Sequence, residues 1–257
     1  ANASEQEQQP PQRGTEALLS HINQHKIDVA LWATRVLTIV FAFGYLFPIF
    51  GNSQSSYYKV LVANAATSAL RLHQRLPRVT FTREFLSLLL LEDSCHYLFY
   101  SLIFIYVSPV IIILLPVVLF AVLHSASYSL TLLDTLGQNS WWGARLLISI
   151  VEFQTRNILR LAAFTEVFLM PFSIVLIIMG KGGLMTPLIY YHFLTLRYSS
   201  RRNPYTRNIF YECRLAAEVL ANNPSMPAFV SKTIRGGIAL VSRLAPPVPQ
   251  AQQTQQQ

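Results

Sequence analysis

Between Tyr97 and Leu123 the chain runs for 27 residues without one charged side chain. No other feature restricts the possible folds as much. Inside a bilayer the backbone has no water to bond, so a lone apolar segment must be a helix. About 20 apolar residues are enough to cross. Pro109 and Pro116 fall inside the run and predict a kink, and the length leaves room for tilt. A re-entrant hairpin turning near Ser108-Pro109 is the competing path.

The composition of the whole chain agrees with this segment. Apolar residues make up 52% and charged residues 12%, about half the charged share usual in globular domains. Two further runs are long enough to cross. Val29 to Phe50, 22 residues, would rise about 33 Å as a helix against a hydrocarbon core of about 30 Å. It carries Arg35 two turns from its start, where the guanidinium can snorkel to the interface. Leu161 to Gly180 carries Glu166 and Pro171 and is broken by Lys181-Gly182-Gly183. The expected fold class is all-α: a multi-span helical membrane protein with about three transmembrane helices plus amphipathic surface helices. Its spans are 29–50, 97–123 and 161–180 within a membrane domain of residues 28–200. A polar segment, 1–27, precedes them. Its Gln-rich start shows no cleavable signal peptide, so the first span is expected to act as its own insertion signal.

The remaining chain is amphipathic. From Tyr57 to Leu76, apolar residues including Leu61, Leu72 and Ala65 share one side at about 100° per residue, and Asn64, Arg71 and Arg75 cluster on another. This predicts a helix on the membrane or packed against the spans, stopped by Pro77. Trp141-Trp142 suits a headgroup interface. Leu184 to Leu196 is apolar but has only 13 residues, which suits an interfacial or packing helix. A basic helical tail, 201–249, follows. Asn203-Pro204 gives a capping residue and a proline at the first helical position, opening a helix that runs to about Ala221. A last helix, 227–245, sets Phe229, Val230, Ile234, Ile238, Leu240, Val241 and Leu244 over half its circumference. Ser231, Ser242, Lys232, Arg235 and Arg243 fill the other half. Such a helix can bury its apolar arc at the headgroup boundary while its basic residues meet anionic lipid. The alternative is packing on the protein's own helices. Residues 250–257 are expected to be disordered.

With three spans, nine Lys and Arg follow the third and five lie between the first and second, against three between the second and third and two before the first. The positive-inside rule then places the tail in the cytosol and the polar N-terminal segment in the lumen. The net charge of +8 reads, beside this much apolar surface, as attraction to anionic lipid rather than to nucleic acid.

Chemistry-bearing residues are sparse. Glu166 and Arg35 are the intramembrane polar residues, and an ionisable group at that depth is a functional candidate by default. A single acid with no repeat makes a poor ion path, so a structural pair with Arg35 or hydroxyls is the favoured reading. Glu92 and His96 lie four apart with Asp93 between them, a spacing metals use, but no second ligand pair has matching spacing. Glu92, Asp93 and His96 read instead as a membrane-edge polar cluster buried by helix packing. Cys95 and Cys213 are far apart, and Ser94, Cys95 and His96 do not face one another on a helix. No nucleophile elbow, zinc-protease or phosphate-loop pattern occurs. No cofactor, no metal and no enzymatic activity are expected.

Several stretches resemble a known family. These are Leu90-Leu91-Glu92-Asp93-Ser94-Cys95-His96-Tyr97, Tyr100 to Phe104, Phe168-Leu169-Met170-Pro171 and Ile189-Tyr190-Tyr191, with Phe193 to Tyr205 and Ser242 to Pro246. Together they are similar to the transmembrane protein 33 or Krüppel homologue 2 family, over about Gln24 to Pro249. The Arg-Tyr-Ser-Ser-Arg-Arg-Asn-Pro-Tyr stretch is the most specific. The resemblance implies residence in the endoplasmic reticulum and nuclear envelope, three spans or slightly more, and no catalytic residues. It also implies reticulon-type tubule-shaping partners, nucleoporins in fungal relatives, and roles in organelle stress and calcium handling. A non-enzymatic membrane organiser is therefore the leading expectation, with a channel, transporter or lipid-moving protein using Glu166 and the Glu92/Asp93 cluster as the alternative. Partners and oligomeric state are otherwise not legible.

Overall fold

The computed structural model describes residues 14–48, 51–76, 79–80, 82–138 and 140–246. The ends 1–13 and 247–257, on which the Gln-rich expectations fall, lie outside the described residues. No strand occurs among the described residues. The helices are α1 (Thr15–Gln24), α2 (Lys26–Leu46), α3 (Ser53–Arg75), α4 (Arg83–Leu91), α5 (Asp93–Phe104), α6 (Ile111–Leu136), α7 (Trp142–Ile148), α8 (Thr155–Ile178), α9 (Thr186–Ser199), α10 (Tyr205–Ala221) and α11 (Ala228–Leu244), with a π turn at Ser149–Phe153 between α7 and α8. Three are long and apolar enough to cross a membrane: α2, α6 and α8. Their outward faces are apolar. Leu37, Val40, Phe43 and Leu46 of α2 and Phe164, Phe168, Ile174 and Ile178 of α8 are exposed, as lipid-facing side chains are.

The expected second span, 97–123, is not one helix. α5 ends at Phe104 and α6 begins at Ile111, because Pro109 disfavours helix at Ser108 and has no N–H to continue one. The Ser108 N–H instead donates to Lys181 C=O (2.9 Å), tying this turn to the one after α8. The helix that resumes does not stop at Leu123. It continues to Leu136 and closes on Gly137 in the left-handed conformation. The first and third long helices also shift against expectation, to Lys26–Leu46 and Thr155–Ile178, and residues 49–50 are not described.

Two of the long helices run beside a shorter or more polar one in antiparallel pairs, while α5 packs against α3 and α9. α3 returns along α2, from Ser53 Oγ on Tyr45 C=O (2.7 Å) through Thr67 on Thr34 (2.8 Å) to Gln74 on Asp28 (2.9 Å). It packs against a span, one of the two expected arrangements. Its outward side is apolar only between Lys59 and His73, at Val62, Ala66 and Ala69, a band about 21 Å long. α5 precedes α6, and the Tyr100 hydroxyl donates to Ile113 C=O (2.6 Å). α9 returns along α8 as the expected packing helix, with Tyr190 and Phe193 fully buried. The aromatic core joins these pairs: Tyr57, Tyr97, Tyr100, Phe104, Tyr190 and Phe193.

The bundle therefore has two unlike ends. The described connections 47–48, 51–52, 105–110 and 179–185 form a turn end whose single charged residue is Lys181. The opposite end carries α1, which meets α6 through the Gly14 N–H on Thr135 C=O (3.1 Å) and the contact of His21 with Tyr128 (3.1 Å). It also carries α10, joined to the first turns of α8 by Arg160–Glu212 (2.7 Å). The N-terminal helix and the tail thus emerge at the same end of the bundle. α3, α5 and α9 bring the chain back.

Candidate functional site

α9 ends at Ser199 because Ser200 is extended and Pro204 lies four residues on. The break Ser200–Pro204 turns the chain across the bundle before Asn203 Oδ1 accepts from the Tyr205 N–H (3.0 Å) and α10 starts. The last turn of α9 sends Arg197 inward, 1% exposed. Its Nε donates to Glu166 Oε2 (3.0 Å) and its Nη1 to Asp93 Oδ1 (3.2 Å). Glu166, fully buried, also accepts from the Tyr97 hydroxyl at Oε1 and from Thr206 Oγ1 at Oε2 (3.4 Å). Ser200 Oγ donates to Asp93 (2.8 Å), and Tyr190 bonds the Glu166 carbonyl (2.8 Å). The Arg197 guanidinium lies over the rings of Tyr97 (5.3 Å) and Phe120 (5.9 Å), which suits this weakly hydrated cation.

Glu92 continues the knot toward the charged end. It accepts from Arg75 (3.1 Å) and Arg202 (2.7 Å). Burial pushes its carboxyl up, but the hydrogen bonds and charges of Arg202 and Arg75 outweigh that and hold it below the usual value. The bond to Glu92 in turn raises Arg202. His96 donates from Nε2 to Leu90 C=O (2.7 Å) and sets Nδ1 3.7 Å from Asp93. Three carboxylates and three guanidiniums thus join α3, α5, α8, α9 and the break before α10. Among the described residues no group of His, Cys, Asp and Glu is placed to hold a metal.

The expected edge cluster of Glu92, Asp93 and His96 does assemble, and Glu166 joins it. The expected pairing of Glu166 with Arg35 does not occur: α6 packs against both α2 and α8, and Arg197 takes Glu166 instead. Sequence reasoning missed Arg197, Arg75, Arg202, Tyr97 and Thr206. Arg197 directly follows the apolar run Leu184 to Leu196 and precedes the break before Pro204, and this position is the signal that it belongs to the packing helix.

The second candidate region is α11. Of its expected membrane-surface residues, Val230, Ile234 and Ile238 are half-buried, while Phe229 (80% exposed), Leu240, Val241 and Leu244 are exposed. One part of the arc therefore packs on the protein and the other is left free. Ser231 Oγ on Ala221 C=O (2.6 Å) and Arg235 on Asn222 (2.9 Å) fix it to the end of α10, and Tyr191 holds Leu244 C=O (2.8 Å). Lys232, Arg235 and Arg243 are exposed beside the free apolar strip.

Lipid-facing long helices around an aromatic and ionic interior define a multi-pass α-helical membrane protein. The family model described as Transmembrane protein 33/Nucleoporin POM33 matches residues 10–247, and the chain belongs to that family. Krueppel homolog 2 of Drosophila melanogaster is 60% identical over 229 residues, 89% of this chain and 82% of the relative. Transmembrane protein 33 is 47% identical in Rattus norvegicus (87% of this chain, 92% of the relative) and 46% in Homo sapiens (88% and 92%). No solved structure matches the chain.

Proposed function

We propose that this protein is a non-enzymatic organiser of endoplasmic-reticulum and nuclear-envelope membrane, acting through α11 and the lipid-facing bundle. The observation that carries the reading is the free strip of Phe229, Leu240, Val241 and Leu244 beside Lys232 and Arg243. A helix of this kind buries its apolar side in one leaflet and meets anionic headgroups with its basic side. The unequal helix pairs support the same reading. Outside the hairpin helices, the described residues of the charged end (14–25, 76, 79–80, 82–92, 137–138, 140–154 and 200–246) hold nine Lys and Arg against one at the turn end. The positive-inside rule then puts α1 and the tail together in the cytosol. Anionic lipids are the first partners. Reticulon-type membrane proteins and nucleoporins are partners by family. A transport role has less support, because both Glu166 oxygens are engaged in fixed contacts.

Full-length protein reconstituted in anionic vesicles tests this by electron microscopy. Wild type should convert them to narrower, more curved membrane, and Phe229→Ser/Leu240→Ser/Leu244→Ser should not, although its bundle unfolds at the same temperature. Equal shaping by both proteins would remove α11 from the account.

A further inference from the structure

A second polar site lies apart from the ionic knot, between α2, α3 and α6. It is a cavity of about 140 Å³ lined by Asp28, Leu31, Arg35, Arg71, His124, Ser127, Tyr128 and Thr131. Arg35 sits in a candidate span, yet among the described residues no hydrogen bond or ion pair engages its guanidinium. Charged groups at such depth are ordinarily paired or face a cavity. Arg71 is held toward the cavity by its Nη1 on Gln74 Oε1 (3.2 Å), and the same Gln74 donates from Nε2 to Asp28 (2.9 Å). Gln74 thus takes up one Asp28 oxygen and orients Arg71, leaving Asp28 outnumbered by two guanidiniums. Arg35 and Arg71 thus line the same cavity as His124. His124 stacks on Phe120 (6.2 Å) with its ring exposed.

We infer that this cavity binds a phosphate group, with Arg35 and Arg71 as its charged donors and His124, Ser127 and Thr131 as polar lining. The cavity has room for one tetrahedral oxyanion. Planar guanidinium forks suit phosphate oxygens. Two sources offer this chemistry, an anionic lipid headgroup and free phosphate. Position favours the lipid, since α2 and α6 are candidate spans and Arg35 lies about 9 Å below the start of the apolar run at Val29. An anion there also answers why an apolar helix keeps an arginine that, among the described residues, forms no ion pair.

The test uses full-length protein stripped of lipid in mild detergent, with phosphatidic acid, phosphatidylcholine and inorganic phosphate as probes. Native mass spectrometry should show one phosphatidic acid retained, and its addition should raise the unfolding temperature with concentration. Phosphatidylcholine should do neither. Arg35→Gln and Arg71→Gln should each weaken phosphatidic acid binding about tenfold or more, and Lys181→Gln at the turn end should not. Arg35→Gln removes a charge without a partner, so without lipid it should unfold no earlier than wild type. Stabilisation by inorganic phosphate equal to that by phosphatidic acid, lost in both arginine variants, would confirm the site and assign it to free phosphate. Equal retention of phosphatidylcholine, or undiminished phosphatidic acid binding in both variants, would overturn the proposal.

Discussion

Arg197 and Arg243 both follow apolar helical residues in the basic C-terminal third of the chain, yet they have opposite fates. Arg197 is 1% exposed and bonded to two carboxylates, whereas Arg243 stands in the open on a helix with no buried residue. The difference lies in what surrounds them. Asp93 and Glu166 reach Arg197 from 104 and 31 residues away. Among the described residues no carboxylate pairs with Arg243, and α11 is held by its anchors at Ala221, Asn222 and Tyr191. The first region spends charge on holding helices together, and the second keeps charge and apolar surface available to something outside the protein.

Breaking the knot should give the largest effect. Arg197→Met strands Asp93 and Glu166 and should destabilise the bundle by about 3–5 kcal/mol, read from unfolding in detergent. Arg197→Lys should recover only part, because one ammonium cannot reproduce the fork. A variant as stable as wild type would make the knot incidental.

Glu92 sharpens the comparison next. Its carboxyl is held below the usual value, so its contribution is full above the ordinary carboxylate range and is lost as pH falls through the depressed value. Glu92→Gln should cost about 1.5–3 kcal/mol near neutral pH, and the gap to wild type should close in acid. A gap that stays constant with pH would mean Arg75 and Arg202 do not stabilise the charged form.

The smallest effect belongs to the exposed pair Arg160–Glu212, with side chains 59% and 47% exposed. Arg160→Ala should cost about 0–1 kcal/mol and leave α10 in place. A larger loss would show that the knot extends to the surface.

These two regions also mark how far the sequence was legible. Long apolar runs declare themselves by length, so α2 and α8 could be read to within a few residues at one end each, whereas α6 was displaced by the break at Ser108–Pro109. Asn203-Pro204 and Ala221 bounded α10 for local reasons. The split at Ser108–Pro109 was visible only as a competing path, because proline is tolerated in a kinked span as well as at a turn. The return of α3, α5 and α9 was hidden, since each is too short or too polar to register as a crossing. The arginine–carboxylate pairings could not be read at all. They depend on which helices become neighbours, and neither spacing nor periodicity records that. The amphipathic arc of α11 was fully legible, but its division between protein-facing Val230, Ile234 and Ile238 and free Phe229, Leu240 and Leu244 required the packing of α10.

The central claim is that α11 presents its free strip to lipid. Single cysteines at Phe229, Leu240, Leu244, Lys232, Arg235 and Ser242, spin-labelled in the full-length protein in anionic vesicles, measure this through collision with oxygen in the lipid and a polar relaxant in water. The account predicts high oxygen access at 229, 240 and 244 and high polar-relaxant access at 232, 235 and 242. Equal access to the polar relaxant at all six positions would contradict it.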